Sequence, residues 1–389
     1  MRIGTYFINI SMFIVIFVST VLGVEYFCNL KNEKNGVILH FLYAPEKQKI
    51  ASGKYKNIDT LLGYAYHDTF VNPPSDAFPM TYQDGFVVYG KKRGNIDWRT
   101  LERPVIVALG GSTTEPNRRG DYNSWPEEMA RLMKEKNIRG TVVNGGVGGY
   151  SSSQELLKFI RDVIEIAPDI VITYHGVNED DFGPVPYPMN VPYLHSVLTD
   201  LVYGKRTSVF FPNTVYFIKS FYSDKKDGIH DISRGIPTHK SQAEYLIRNV
   251  KLMDAIAEQH GIKHVSILQP YIMTGNFADF LKKSKPEFYA RFAVSDEEIA
   301  SGKDKPLDED ISKTKVGRYM MYKELDRMYR AGDVPMVDFR AVFDAYPDKS
   351  QEIYYDSCHV RRPANKFLAE RILSLIKKNG AFPHNDINF

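Results

Sequence analysis

Two distant points of the chain carry residues suited to covalent chemistry. Ser112 follows the apolar run Val105-Ile106-Val107-Ala108-Leu109 and two glycines, Gly110 and Gly111. An apolar run stopped by glycines reads as a short buried strand with a turn at its end. A hydroxyl there stands at the carboxyl edge of a sheet, where open α/β folds bind ligands. A serine hydroxyl is too weak an acid to attack an ester unaided, so a base must accept its proton. Asp356-Ser357-Cys358-His359 offers that base. His359 is the candidate, and Asp356, on the same turn, is placed to hold the other ring nitrogen and set the tautomer. Nucleophile, base and orienting carboxylate are the equipment for acyl transfer through an acyl-enzyme. Asp356, Cys358 and His359 also have the side-chain types of metal ligands, but no fourth ligand is evident and no metal is expected. Cys358 reads as a partly buried, inert thiol.

Two further stretches follow apolar runs: Asn144–Ser152 (NGGVGGYSS) and Gly176–Asn178 (GVN). Gly149 precedes a helix start, so its amide can point over the sheet edge; a plain turn glycine is the alternative. Other motif readings fail on their residues. GGSTT is not the Gly-x-Ser-x-Gly elbow, because Thr114 holds the last place. NGGVGGYSS lacks the P-loop lysine and does not spell the dinucleotide fingerprint.

Taken in order, GGST, NGGVGG, GVN and DSCH resemble the four motif blocks of the SGNH/GDSL hydrolase superfamily, over roughly Val105 to Ile376. The resemblance implies a triad of Ser112, His359 and Asp356. It implies an oxyanion hole made by the amides of Ser112 and Gly149 and the side-chain amide of Asn178, and no cofactor. It also implies a flavodoxin-like three-layer sandwich, the SGNH hydrolase fold, with strand order 2-1-3-4-5. Two departures stand out. The first block has Gly111 where members often have Asp, and the third has Glu179 where Asp usually follows Asn. Neither replaced residue is catalytic in the family, so the departures bear on substrate.

These residues need a scaffold, and the chain of 389 residues is long enough for one sizeable core with insertions. Short apolar strands at Val105–Leu109, Thr141–Val143, Ile170–Tyr174, Val265–Leu268 and Met336–Phe339 alternate with amphipathic helices. Ser124-Trp125-Pro126-Glu127 and Ser152-Ser153-Gln154-Glu155 read as capping boxes that open two of these helices. Such alternation predicts an α/β domain with a parallel sheet covered on both faces. This catalytic domain is expected over 102–380. Insertions are expected at about 182–237, rich in Pro, Tyr and Phe, and at about 277–311, charged and irregular. Residues 26–101 read as a stalk or small cap, with a turn at Asp84-Gly85 and a strand-like Phe86–Gly90.

Residues 1–25 contain the apolar run Tyr6–Val24, about long enough to span a bilayer. An uncleaved transmembrane anchor is the reading adopted, with a cleaved secretory signal as its rival. Either exports the catalytic domain: single-pass at the cell membrane, or secreted. Net charge is +3, which gives no reason to expect a nucleic-acid partner. Cys28 and Cys358 form no Cys-x-x-Cys pair. The expected activity is that of a serine esterase hydrolysing O-acyl esters on a carbohydrate or lipid of the cell envelope. The same triad would serve an O-acyltransferase of surface-polysaccharide assembly. A glycan-binding protein with a vestigial site is the non-catalytic alternative.

Overall fold

The computed structural model describes residues 19–20, 22–24, 26–27, 56–59, 62–66, 78–91, 95–116, 123–179, 239–301, 315–349, 352–378 and 380. The chain divides into one unit of Met1–Ala65 and Pro192–Arg234 and another of Tyr66–Val191 and Gly235–Phe389. Strand β1 (Lys56–Asp59) of the first unit pairs with β2 (Gly63–Tyr66) in a two-stranded sheet.

The second unit is built on a seven-stranded sheet. An antiparallel hairpin comes first: β3 (Met80–Gln83) and β4 (Phe86–Tyr89), joined by Asp84 and Gly85, whose φ angles are 51° and 76°. Positive φ at both central positions is the geometry that favours Asp-Gly in tight hairpins. Next is β5 (Val105–Gly110), buried along its whole length. Parallel neighbours flank it on both sides: Ile106 pairs with Val142 of β6 (Thr141–Asn144) and with Ile170 of β7 (Ile170–His175). Strands β8 (Lys263–Leu268) and β9 (Val337–Asp338) follow in parallel beyond β7. The parallel strands thus run in the expected order 2-1-3-4-5.

The sheet is mixed, which corrects the expectation of a wholly parallel one. Strand β4 pairs antiparallel with β6, Val88 against Val143, so the hairpin extends the edge. Phe86 to Tyr89, expected to be strand-like, are all buried, as in a strand covered on both faces. Lys158, 1% exposed, fastens the hairpin: its Nζ donates to the carbonyl of Gly85 and lies 4.0 Å from the centre of the Phe86 ring.

Helices α1 (Trp125–Glu135) and α8 (Arg362–Lys378) pack on each other. Helix α3 (His239–Gln259) packs on α2 (Ser152–Lys158) and on α7 (Lys315–Ala331). Helix α2 continues through a π turn, Phe159–Val163, to Ile166. Both groups pack on the sheet: α1 against β6, α2 against β5 and α3 against β8. Between β8 and α7 lie α4 (Gly275–Ser284), α5 (Pro286–Ala290) and α6 (Asp296–Ser301). The stretch expected to be irregular from 277 is therefore mostly helical as far as Ser301, with breaks at Lys285 and 291–295, and its remainder, 302–311, lies outside the described residues. Phe277, Leu281 and Phe292 are buried there, and their spacing is obscured in the sequence by the charges around them.

Both capping boxes differ from expectation. Ser124 makes no side-chain cap; its hydroxyl lies 3.4 Å from the Tyr89 hydroxyl, and Glu127 pairs with Arg131. The second box is displaced by one residue, with Ser151 as the cap and its amide donating to Gln154 Oε1. Ser152 is unavailable for that role because Glu179 holds it. No helix among the described residues is long and apolar enough to cross a membrane. Most of Tyr6–Val24 and all of the insertion expected at about 182–237 lie outside the described residues.

Candidate active site

Ser112 stands one residue beyond the end of β5, after Gly111, half-buried at the carboxyl edge of the sheet. The chain turns sharply there: the amides of Thr114 and Glu115 both donate to the carbonyl of Gly111. Asn144, at the end of the neighbouring β6, fixes this turn. Its Nδ2 donates to the Thr114 carbonyl at 2.7 Å and to the Tyr89 hydroxyl at 3.2 Å, while its Oδ1 accepts from the Gly146 amide. The hairpin strand β4 therefore reaches the nucleophile turn through one buried asparagine. On the other side, the Thr113 hydroxyl donates to Gln269 Oε1 at 2.7 Å, just past β8.

The turn before α8 brings in His359, the candidate base. Asp356 Oδ1 accepts from the amides of Cys358 and His359, at 2.9 and 2.8 Å. Its other oxygen, Oδ2, accepts from His359 Nδ1 at 2.7 Å. With Nδ1–H committed to the carboxylate, Nε2 keeps its lone pair, and it lies 2.7 Å from Ser112 Oγ. Ser112 and the Asp356–His359 pair, more than 240 residues apart in the chain, are thus in hydrogen-bonded series.

Burial alone would raise the Asp356 carboxyl, but the bonds from His359 and the two amides outweigh it and hold it at about 2. The His359 ring moves the other way. The Cys358 sulfur, 3.7 Å from Nδ1, raises it; burial opposes; the Asp356 bond raises it again, and the net lies well above the usual histidine value. A base works only when neutral. Turnover should therefore rise with pH along an acid limb centred above pH 6.5, the ordinary value for histidine. Replacing Cys358 with Ala should move that limb to lower pH. A pH profile of kcat/KM checks this; an unmoved limb would mean that Asp356 alone sets the histidine.

Two of the expected oxyanion residues, Asn178 and Gly149, lie on neighbouring loops joined by one hydrogen bond. Asn178, 7% exposed after β7, donates from Nδ2 to the carbonyl of Tyr150, which adjoins Gly149. Gly149 has φ 85°, so its turn is left-handed. Gly111, next to Ser112, packs against Asn178 so closely that an added Cβ would collide with Nδ2. A side chain at this position would have to displace Asn178 Nδ2 and crowd the Tyr150 carbonyl. Gly111→Ala should cost about 1–3 kcal/mol by overpacking, and it should displace Asn178. Denaturant unfolding beside an esterase assay checks both effects; unchanged turnover would show that Asn178 moves without consequence.

Glu179, the other departure, is buried and clamps the two donor loops. Its carboxylate accepts from the Ser152 amide at 2.7 Å and from the Ser152 hydroxyl at 2.8 Å. The longer side chain spans from the asparagine loop to the start of α2. Glu155 and His175, hydrogen-bonded to each other, lie in the same buried cluster. Burial, with Glu155 adding, pushes the Glu179 carboxyl up to about 7 against the pull of its bonds to Ser152. A raised acid binds its proton more tightly in the folded chain, so this group's contribution to stability falls as pH rises from about 4.5 to about 7. Glu179→Gln should flatten that part of the Tm-versus-pH curve, and thermal scans across the range measure it. Tyr89 and Gln269 were not singled out in the sequence, and neither Asn144 nor Glu179 was given a structural role there. Only Asn144 and Glu179 carried a signal, as members of the second and third motif blocks.

The strand order 2-1-3-4-5 is the one that the resemblance to SGNH/GDSL hydrolases implies. No protein-family model and no curated protein matches the chain. Among solved structures it is similar to a lipase/acylhydrolase from Enterococcus faecalis, at 12% identity and a TM-score of 0.37, over 71% of this chain and 96% of that one. A GDSL-like lipase from Bacteroides thetaiotaomicron is similar at 14% and 0.35, over 71% and 89%. An acetylxylan esterase from Geobacillus stearothermophilus is similar at 14% and 0.36, over 70% and 94%.

Proposed function

We propose that this chain is a serine esterase of SGNH type that hydrolyses O-acyl esters on a carbohydrate or lipid of the cell envelope. The observation that carries the reading is the series Asp356 Oδ2, His359 Nδ1, His359 Nε2, Ser112 Oγ, with 2.7 Å at both hydrogen bonds. In this reading Ser112 Oγ bonds to the acyl carbon as its proton passes to His359 Nε2. The tetrahedral oxygen takes its negative charge toward Asn178 Nδ2 and the Gly149 and Ser112 amides. Collapse breaks the bond to the alcohol, which leaves with the proton from Nε2. Water, deprotonated by His359, then attacks the acyl-enzyme and restores Ser112. Asp356 stays ionised throughout and steadies the imidazolium.

The envelope part of the reading rests on Tyr6–Val24, an apolar segment of export length ahead of the catalytic domain. Esters within reach of a domain exported there are those of acylated glycans and lipid-linked sugars. Incubating the purified chain with an O-acetylated glycan, with and without a free sugar acceptor, tests the activity. Free acetate released at the same rate in both is the expected result. Acetate found on the acceptor would make the chain a transferase, and no change in the glycan would make it a binding protein.

A further inference from the structure

We propose that Arg318 is a positioning residue that holds the Asn178 loop at working distance from the Asp356–His359 turn. The proposal rests on the esterase reading and adds to it a residue from outside the motif blocks. Arg318 lies in the first turns of α7 and is 3% exposed. Its Nε donates to the carbonyl of Val177 at 2.9 Å, and its Nη1 donates to the Ser357 hydroxyl at 3.1 Å. Val177 precedes the oxyanion amide Asn178, and Ser357 follows the triad carboxylate Asp356. One rigid, planar guanidinium therefore spans the two loops whose separation sets where the acyl oxygen sits relative to the base.

The rest of this helix face acts on the same place. Tyr322, one turn further along α7, donates to the carbonyl of Gln269 at 3.0 Å, and Gln269 holds Thr113 beside the nucleophile. Gly176 of the asparagine loop is so close to Tyr322 that an added Cβ would stand 2.6 Å from its hydroxyl. Arg318 also sits 5.9 Å from the centre of the Tyr271 ring, and the adjoining Ile272 amide donates to the Ser357 carbonyl. Burying a guanidinium is costly unless its donors are used. Here two of them are used on the loops that carry the donor and the base. Lysine has the charge but no fork and cannot span both acceptors in this geometry.

A misplacement of about 1 Å at a reacting centre costs about 10²-fold in rate. Arg318→Lys should therefore lower kcat on p-nitrophenyl acetate about 10²-fold per active site, with KM little changed, the sites being counted with a fluorophosphonate. Ser357→Ala removes one of the two bonds while leaving Arg318 in place, and should give a smaller loss of the same kind. The deciding measurement is the double variant with Asn178→Ala. Once the positioned amide is gone, Arg318→Lys should cost at least tenfold less than it does in the parent chain. Equal losses in both backgrounds, or an unchanged kcat per site, would overturn the positioning role. If Arg318→Lys does not fold, Ser357→Ala in the two backgrounds decides by the same criterion. A parent chain that neither turns over the ester nor reacts with the fluorophosphonate would overturn the esterase reading itself, and the positioning role with it.

Discussion

Ser112→Ala should lower turnover by about 10⁴–10⁶-fold while leaving the fold intact. The hydroxyl is the only part of Ser112 that the proposed chemistry uses, and the half-buried site loses a single atom. His359→Ala should fall in the same range, because the serine proton then has no acceptor at 2.7 Å. The combined variant should be little worse than either alone, since residues acting as one unit do not add. Asp356→Asn should cost no more than these: the carboxylate orients the ring and touches no reacting atom. Steady-state kinetics on a small acyl ester, with far-ultraviolet circular dichroism as the control for folding, check all of these. Parent-level turnover by Ser112→Ala would remove the nucleophile assignment.

Asn178→Ala should lower kcat about 10²–10³-fold with little change in KM. Charge develops on the acyl oxygen only as the tetrahedral species forms, so a donor aimed there acts on the transition state and not on the bound ester. The bond from Nδ2 to the Tyr150 carbonyl holds the amide at 2.9 Å, so it needs no reorganisation when the charge appears. A change confined to KM would instead make Asn178 a substrate-binding residue. Measuring kcat and KM separately on one ester decides between the two.

Much of the scaffold was legible because its strands are short apolar runs closed by glycine or asparagine. Val105–Gly110 is the clearest case, and the Asp-x-x-His spacing identified a turn in which one carboxylate serves both a ring nitrogen and two amides. The hairpin Met80–Tyr89 was harder to place. Its strands are four residues long, and its sheet partner β6 begins only at Thr141, so local pattern could suggest a strand but not its partner. The helices from Gly275 to Ser301 were missed because Phe277, Leu281 and Phe292 are scattered among lysines, aspartates and glutamates. The capping boxes misled for a different reason: Ser152 and Glu127 have the right types and spacing, but Glu179 from a distant loop takes the first and Arg131, one turn along the same helix, takes the second. Arg318 had no local signal at all. Its role depends on bringing Val177 and Ser357 within reach of one side chain, and only the folded sheet does that.

The central claim is that His359 activates Ser112 as a nucleophile. Mass spectrometry of the full chain after reaction with a fluorophosphonate tests it most directly, with the adduct mapped to a peptide and the rate followed in the parent and in His359→Ala. The account predicts one adduct, on Ser112, formed in the parent and slowed by orders of magnitude in His359→Ala. No adduct in the parent, an adduct on another residue, or equal rates in the two proteins would contradict it.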